Sequence, residues 1–385
     1  MFTGKYRIHI LFILLLVISL VLYTGTFLFN ERNKLSHSSQ EDPNGTSNVN
    51  IEKEKPFPVI HRNFRKDISG NPQEINILEI DLSDERVEVL PALSHNSVFG
   101  FEALSSIASR TDAYAAVNGG FFHEYGQPSG MTAIDGETIT KSSGKYPVLI
   151  FEGGKARLEQ VVDRLWIQHD GRRIDINDIN REGAPGRIVL YTPAYGSSSR
   201  AEMENITVAV SGDRVVKVAG YKGEAGIPQD GALIVFYQPV DYDMAGFPLK
   251  EGEKLEIRHE PAFDKPGTHA YECGSWVVKD GKVVIGDTDE WVGVMNNRDP
   301  RTVAGLKDEN TLILMTVDGR QPGFSAGLTG KELGKLLLEL GIRDAAMLDG
   351  GASTEMIVEG RIVNRPSFKG RERPLGGALV VRVTR

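Results

Sequence analysis

The stretch Thr311-Leu312-Ile313-Leu314-Met315-Thr316-Val317-Asp318-Gly319 is a nearly continuous apolar run that stops at an Asp-Gly pair. A strand covered on both faces has this pattern, because neither of its side-chain rows meets water. Moving outward toward the C-terminus, Thr329 opens a helix, and Glu332 three residues on completes a Thr-x-x-Glu capping box. Leu333, Leu336, Leu337 and Leu340 follow at helical spacing, and Gly341 supplies the stop. Ala345-Ala346-Met347-Leu348 then reads as a second short strand, ending at Asp349-Gly350-Gly351. Strand, helix and strand make a β-α-β unit. A right-handed crossover leaves both strands parallel in one sheet, with both Asp-Gly pairs at their carboxyl ends. Ligands of such sheets bind outside those ends. Asp318 and Asp349, 31 residues apart, are therefore expected to converge.

Upstream the pattern is strand-rich. Residues 75–80 and 87–90 read as short strands, and residues 208–216 as a hairpin around Gly212-Asp213. A second hairpin spans residues 276–284, with an Asp280-Gly281 turn of the kind that needs positive φ. A buried-type run covers 233–237, and a helix is expected over 101–109. Only the last third shows a clear β-α-β. The predicted fold is therefore α+β, a single large domain on mixed β-sheets over residues 71–385 with a C-terminal β-α-β unit. Residues 160–290 carry few chemistry-bearing patterns.

Ahead of that domain, residues 8–29 are an almost unbroken apolar run preceded by Lys5 and Arg7. At about 1.5 Å per residue such a helix spans a bilayer core of roughly 30 Å. The run is long for a cleaved signal peptide and no Ala-x-Ala follows it, which favours a signal anchor. Residues 1–30 are accordingly read as a cytoplasmic stub and transmembrane helix, and residues 31–70 as a polar linker. The catalytic part then lies outside the cytoplasm, as a single-pass membrane protein, or is secreted if the anchor is cleaved.

Composition narrows the partners. The 385 residues are 40% hydrophobic and 25% charged, an ordinary globular balance with enough apolar residues for a sizeable core. The formal charge is -8, and the first 30 residues hold only Lys5 and Arg7, leaving -10 on the rest. That excludes nucleic acid as the main partner, which would need a basic face. The single cysteine, Cys273, excludes an intramolecular disulfide framework and any multi-cysteine metal site.

Four constellations carry chemistry. Asp349-Gly350-Gly351-Ala352-Ser353-Thr354 places a carboxylate, two flexible residues and two hydroxyls together. Its glycines permit a nest of backbone N–H groups that favours anionic oxygens, although a tight turn capped by its own aspartate has the same residues. Asn118-Gly119-Gly120-Phe121-Phe122 follows the short strand Ala115-Ala116-Val117. Asn118 has the donors and acceptor to meet sugar hydroxyls, with two core phenylalanines after a turn as the plainer reading. Arg298-Asp299-Pro300-Arg301 offers guanidinium forks suited to phosphate or carboxylate. Asn364-Arg365-Pro366-Ser367 with Arg371-Glu372-Arg373-Pro374 clusters positive charge in an otherwise acidic chain. His123, beside Phe122, is placed in the same cleft, and Glu124, Asp135 and Glu355 are secondary.

In this order, these segments resemble the phosphodiester glycosidase family. The likeness rests on Asn118-Gly119-Gly120-Phe121-Phe122, Pro300-Arg301-Thr302 with Gly305, Val317-Asp318-Gly319-Arg320 and Leu348-Asp349-Gly350-Gly351-Ala352-Ser353-Thr354. Asn364, Pro366-Ser367 and Arg371-Glu372-Arg373-Pro374 complete it. One departure is Ala352, where the family usually has a third glycine. The resemblance implies hydrolysis of a sugar 1-phosphodiester at the anomeric carbon, releasing free sugar and a phosphomonoester from a phosphorylated glycan. It implies water activation or cation stabilisation by Asp318 or Asp349, and sugar positioning by Asn118. Phosphoryl binding falls to Arg301 and Arg320, with hydrogen bonds from Ser353 and Thr354. Gly119, Gly120, Gly350, Gly351, Asn364, Arg371 and His123 line the substrate. No cofactor is required, although two carboxylates suffice to hold a divalent ion. A non-catalytic module binding phosphorylated envelope glycans and a phosphodiesterase cutting P–O are the rival functions.

Overall fold

The apolar run at 311–317 becomes the middle of a sheet in the computed structural model, which describes residues 55–239 and 246–384. The strands that position the site run, in chain order, β1 (Val59–Ile68), β2 (Asn71–Asp81), β3 (Val87–Leu93), β4 (Ala115–Asn118), β5 (Trp276–Lys279) and β6 (Lys282–Val283). They continue with β7 (Arg301–Leu306), β8 (Thr311–Val317), β9 (Asp344–Met347), β10 (Met356–Val358), β11 (Arg361–Ile362) and β12 (Gly377–Val383). A seven-stranded sheet has the order β1-β2-β8-β7-β9-β5-β6, and a five-stranded sheet the order β11-β10-β4-β12-β3.

The two sheets share a core. Leu78, Ala304, Leu312 and Leu314 from the first meet Val117, Met356 and Leu379 from the second. On β8 the alternate residues Ile313, Met315 and Val317 face the other way, against α2 (Gly330–Glu339), whose Leu333, Leu336 and Leu337 close a second core. Burial on both faces is the physical reason for the unbroken apolar run. The second sheet's outer face is covered by α1 (Leu104–Arg110) through Leu104, Ile107 and Ala108. α2 begins with the expected capping box between Thr329 and Glu332. It ends in a Schellman motif, with Ile342 N–H on Leu337 O, Gly341 N–H on Leu338 O and Gly341 at φ +76°. The Asp280-Gly281 turn joins β5 to β6 with φ of 50° and 70°.

Three expectations change. The fold is mostly β, with α1 and α2 the only α-helices among the described residues, so the α+β assignment gives way. Within both site-bearing sheets every pairing is antiparallel, and the expected mixing is found only outside them among the described residues, where Asp178–Ile179 runs parallel to Ile188–Tyr191 in an otherwise antiparallel sheet. β8 and β9 do not pair with each other: both are antiparallel to β7, which lies between them. Residues 59–68, read as part of a polar linker, form β1, which pairs with β2 from Val59↔Ile80 to Ile68↔Asn71. As an edge strand it keeps a largely exposed polar face, which is why its sequence lacks a core signature.

The single-pass membrane assignment is also corrected. Among the described residues no helix is long and apolar enough to cross a membrane, and the run at 8–29 on which that expectation stands lies outside them. Residues 164–260 add a three-stranded and a five-stranded sheet around Leu165, Val208, Ile234 and Phe236.

Candidate active site

β8 and β9 run the same way on either side of β7, so their carboxyl ends meet the residue that precedes β7, Pro300. Both Asp-Gly turns rest on it. A Cβ added to Gly319 would sit 2.6 Å from Pro300 N, and one added to Gly350 would sit 2.9 Å from Pro300 O. Gly351, at φ +58°, donates its N–H to the same carbonyl at 2.9 Å. Glycine is required here for close approach. Gly350→Ala is accordingly expected to destabilise the chain by about 1–3 kcal/mol through overpacking. A denaturant midpoint that does not move would show that the turn does not rest on Pro300.

Asp318 is buried, and both of its oxygens are taken. Oδ1 accepts from Asn364 Nδ2 at 2.9 Å and Oδ2 from the Arg365 backbone N–H at 2.9 Å. Burial pushes its carboxyl up to about 6, against the pull of those two hydrogen bonds. Asn364 also donates to Thr354 O at 3.1 Å and accepts from Met356 N at 2.8 Å. It thus clips the turn after β8 to the segment after β9.

Asp349 is only partly covered. Burial raises its carboxyl above the ordinary range, while the Ser353 hydroxyl, the Arg373 charge and the Gly350 N–H pull it back. Two guanidinium groups flank its turn. Arg373 donates Nη1 to Ser353 Oγ at 2.9 Å and lies 5.5 Å from the centre of the Phe122 ring. Arg320, half exposed, is oriented by Asp299 (Nε to Oδ1, 2.8 Å), and its Nη2 would be 3.1 Å from a Cβ on Gly351. A carboxylate that feels the Arg373 charge, on a turn whose Gly351 lies against the Arg320 guanidinium, is an arrangement that can hold an anion beside a reacting oxygen.

Several sequence assignments move. Asn118 is buried with its side chain saturated: Nδ2 donates to Gly119 O at 3.1 Å and Asp349 O at 2.6 Å, and Oδ1 accepts from Thr302 Oγ1 at 2.7 Å and Glu355 N at 3.1 Å. It therefore positions the Asp349 turn rather than a sugar. Gly119 and Gly120 make room for Tyr271: a Cβ on Gly119 would be 2.3 Å from its hydroxyl oxygen, and Gly120 N–H donates to that oxygen at 2.8 Å. Arg301 is fully buried, donating Nε to Leu328 O at 2.9 Å and Nη2 to Asn297 O at 3.0 Å, so it is a strut within the core and not a phosphate ligand. Ser353 and Thr354 are buried too, Ser353 facing Arg373. The proposed nest is a short 3-10 turn over Gly351–Ser353, with Ser353 and Thr354 N–H groups donating to Gly350 and Gly351 carbonyls. Arg371 rests over the Phe368 ring at 5.9 Å. His123 packs on Trp291 at 5.2 Å and lines a separate polar cavity of about 550 Å³ with Arg181; partial burial and then the Arg181 charge lower its pKa.

Two residues to which the sequence assigns no role at the site, Arg373 and Glu355, border the Asp349 turn. Arg373 takes the place given to Arg371, because Glu372 between them is fastened to the start of α1, accepting from Ser105 N and Oγ at 2.7 Å each. Glu355, secondary in the sequence, is fully buried; its Oε1 accepts from Arg373 N at 2.5 Å and its Oε2 has no partner among the described residues. Burial pushes this carboxyl up to about 8. The folded values of Asp318 and Glu355 both exceed those of the unfolded chain, so the folded state binds these protons more tightly. Their contribution is complete below the unfolded values and is lost as pH rises through about 6 and about 8 respectively. The Asp318 part is spent by about pH 6, so thermal midpoints are expected to fall from pH 6 to pH 8 through Glu355, and Glu355→Gln should flatten that fall. A wild-type profile flat over this range would contradict the burial of an ionisable Glu355. Among the described residues no group of three or more His, Cys, Asp or Glu side chains is placed to hold a metal ion.

Residues 204–382 match the phosphodiester glycosidase family. This is the family that the motifs resemble, and the match covers both Asp-Gly turns while leaving Asn118 outside it. A prophage-derived uncharacterized protein of Bacillus subtilis is 31% identical over 153 residues, 37% of this chain and 23% of that protein. The N-acetylglucosamine-1-phosphodiester alpha-N-acetylglucosaminidase of Bos taurus is 26% identical over 171 residues, 41% of this chain and 29% of the bovine protein. The chain thus spans about a quarter of the length of these curated relatives. Among solved structures, a hypothetical protein from Synechocystis superposes with a TM-score of 0.71 at 21% identity, covering 85% of this chain and 62% of that one. That likeness concerns the fold.

Proposed function

We propose that this chain is a phosphodiester glycosidase that hydrolyses a sugar 1-phosphodiester of a phosphorylated glycan at the anomeric carbon. The observation that carries the reading is the partly open Asp349 turn between Arg320 and Arg373. In the proposed reaction the bond from C1 to the bridging oxygen breaks, and the phosphomonoester leaves with that oxygen and the bonding pair. Such a leaving group is stable as an anion, so little general-acid help is needed. The demand falls on holding the diester's charge and on supplying water to an oxocarbenium-like sugar. Arg320 and Arg373 meet the phosphoryl oxygens, the second steadied by Ser353. Asp349 faces the anomeric side, stabilising the sugar cation and taking the proton of the attacking water. Asp318, with both oxygens occupied, holds Asn364 and Arg365 in place instead of reacting. The residues and water complete this reaction without a cofactor.

Support also comes from the bovine relative, whose name states activity on an N-acetylglucosamine 1-phosphodiester. The test is to incubate the protein with a synthetic N-acetylglucosamine 1-phosphodiester in ¹⁸O-labelled water. Label in the sugar's anomeric hydroxyl is the expected result. Label in the phosphate would instead identify a diesterase cutting P–O, and binding without turnover of any 1-phosphodiester would identify a binding module.

A further inference from the structure

The segment 361–373 is the most concentrated positive charge that borders the site. Arg361, Arg365, Lys369, Arg371 and Arg373 stand against one acid, Glu372, a net of +4 within a chain of net -8. A basic run is commonly just a solvated face, balanced by nearby carboxylates. Here the nearby carboxylates Asp318, Asp349 and Glu355 act on Arg365 and Arg373 without forming ion pairs. Among the described residues none of the five forms a salt bridge, and Glu372 is occupied by Ser105 at the start of α1. Arg361, Arg365, Lys369 and Arg371 are exposed.

Three of the arginines lie over phenylalanine rings instead. Arg365 is 5.1 Å from the centre of Phe324, Arg371 5.9 Å from Phe368 and Arg373 5.5 Å from Phe122. Arg65 lies over Phe324 too, at 5.2 Å, but is paired with Glu74. A guanidinium resting on a ring has its plane steadied through its face, while the N–H groups around its edge stay available to an anion. The segment is also tied to both Asp-Gly turns. Arg365 N–H and Asn364 Nδ2 bond Asp318, Ser367 Oγ donates to Gly351 O at 3.2 Å, and Arg373 bonds Ser353. A strand of substrate leaving the Asp349 turn on this side therefore runs along exposed cations.

We propose that residues 361–373 form a binding strip for further phosphate groups of the substrate, so that the chain acts on a glycan whose sugars are joined through repeated phosphodiesters. Arg373 serves the scissile group, and Arg365, Lys369 and Arg371 serve its neighbours. This rests on the phosphodiester glycosidase reading and adds the substrate class to it.

The test compares a single sugar 1-phosphodiester with a synthetic trimer of hexoses joined through 1-phosphodiesters, and adds a neutral trisaccharide and an oligouronide as competitors. At low salt the trimer is expected to show a KM about tenfold or more below that of the single diester, since several exposed charge contacts add modest increments each. High salt should close the gap. The triple variant Arg365→Gln, Lys369→Gln, Arg371→Gln should raise the trimer's KM about tenfold more than that of the single diester. Lys369→Gln and Arg371→Gln made singly are checked in parallel, and should each reproduce part of that effect should the triple variant fail to fold. Equal KM values, a gap insensitive to salt, or variants that keep the gap would overturn the strip. An oligouronide that competes as well as the trimer would overturn its assignment to phosphate. Binding of a fluorescent trimer to the same proteins is followed separately by anisotropy. If no diester is hydrolysed the glycosidase reading fails on its own, while salt-sensitive trimer binding weakened by the variants would still support the strip and its absence would overturn it.

Discussion

Asp349→Asn is expected to lower turnover of a sugar 1-phosphodiester by about 10²–10⁴-fold, the range for loss of a positioned acid-base group. The substitution keeps the shape of the side chain, so the Gly350-Gly351 turn on Pro300 and the Asn118 bond to Asp349 O are retained. What is lost is the charge. Because burial already raises the Asp349 carboxyl above its ordinary value, a neutral amide is tolerated there, and the thermal midpoint should stay level or rise. The two readouts therefore part company, with activity collapsing in a protein at least as stable as wild type. The same raised value places the acid limb of the wild-type pH–rate profile above that of an ordinary aspartate, since Asp349 must be ionised to take a proton. Asp349→Asn protein that turns over substrate at the wild-type rate would remove this residue from the chemistry.

Arg301→Ala is expected to destabilise the fold by about 3–5 kcal/mol, the range for breaking a buried charged network or emptying a large core site. Arg301 is fully buried, and its loss orphans the Asn297 carbonyl, leaves Leu328 O with only the long bond from Asp299 N–H at 3.4 Å, and opens a void beside Met295. Arg301→Lys should recover little, because one ammonium cannot serve the fork's separate directions. Urea titration reads the effect directly. The contrast is with Arg320→Ala, in which an exposed guanidinium is removed and the KM for the diester should rise without a comparable stability loss. An Arg301→Ala protein that folds normally but binds substrate poorly would place that guanidinium in the site after all.

These two arginines show where sequence reasoning stops. Arg301 and Arg320 both sit in the motifs that mark the family, and both carry the fork that suits a phosphate. Nothing local separates them. Arg301 is the first residue of β7, a strand buried along its whole length, and its side chain is drawn into the space between Leu328 and Asn297. Arg320 follows Gly319 at φ +59° in a turn, and is left half in solvent. The choice between Arg371 and Arg373 is of the same kind, decided by the bond from Glu372 to a helix 267 residues away in the chain. Asn118 looked like a polar group presented by glycines, yet two sheets close over it and use every hydrogen bond it can make.

Periodicity and capping act within a few residues, so they were enough to specify β8, the capped helix α2, β9 and the Asp280-Gly281 hairpin from the chain alone. The order of motifs likewise resembles that of the phosphodiester glycosidases, and residues 204–382 match that family. The insertion of β7 between β8 and β9, the seating of both Asp-Gly turns on Pro300, and the division of carboxylates and arginines into buried struts and open groups depend on contacts between segments far apart in sequence. Burial and hydrogen-bond saturation are properties of those contacts, and only the packed tertiary structure decides them.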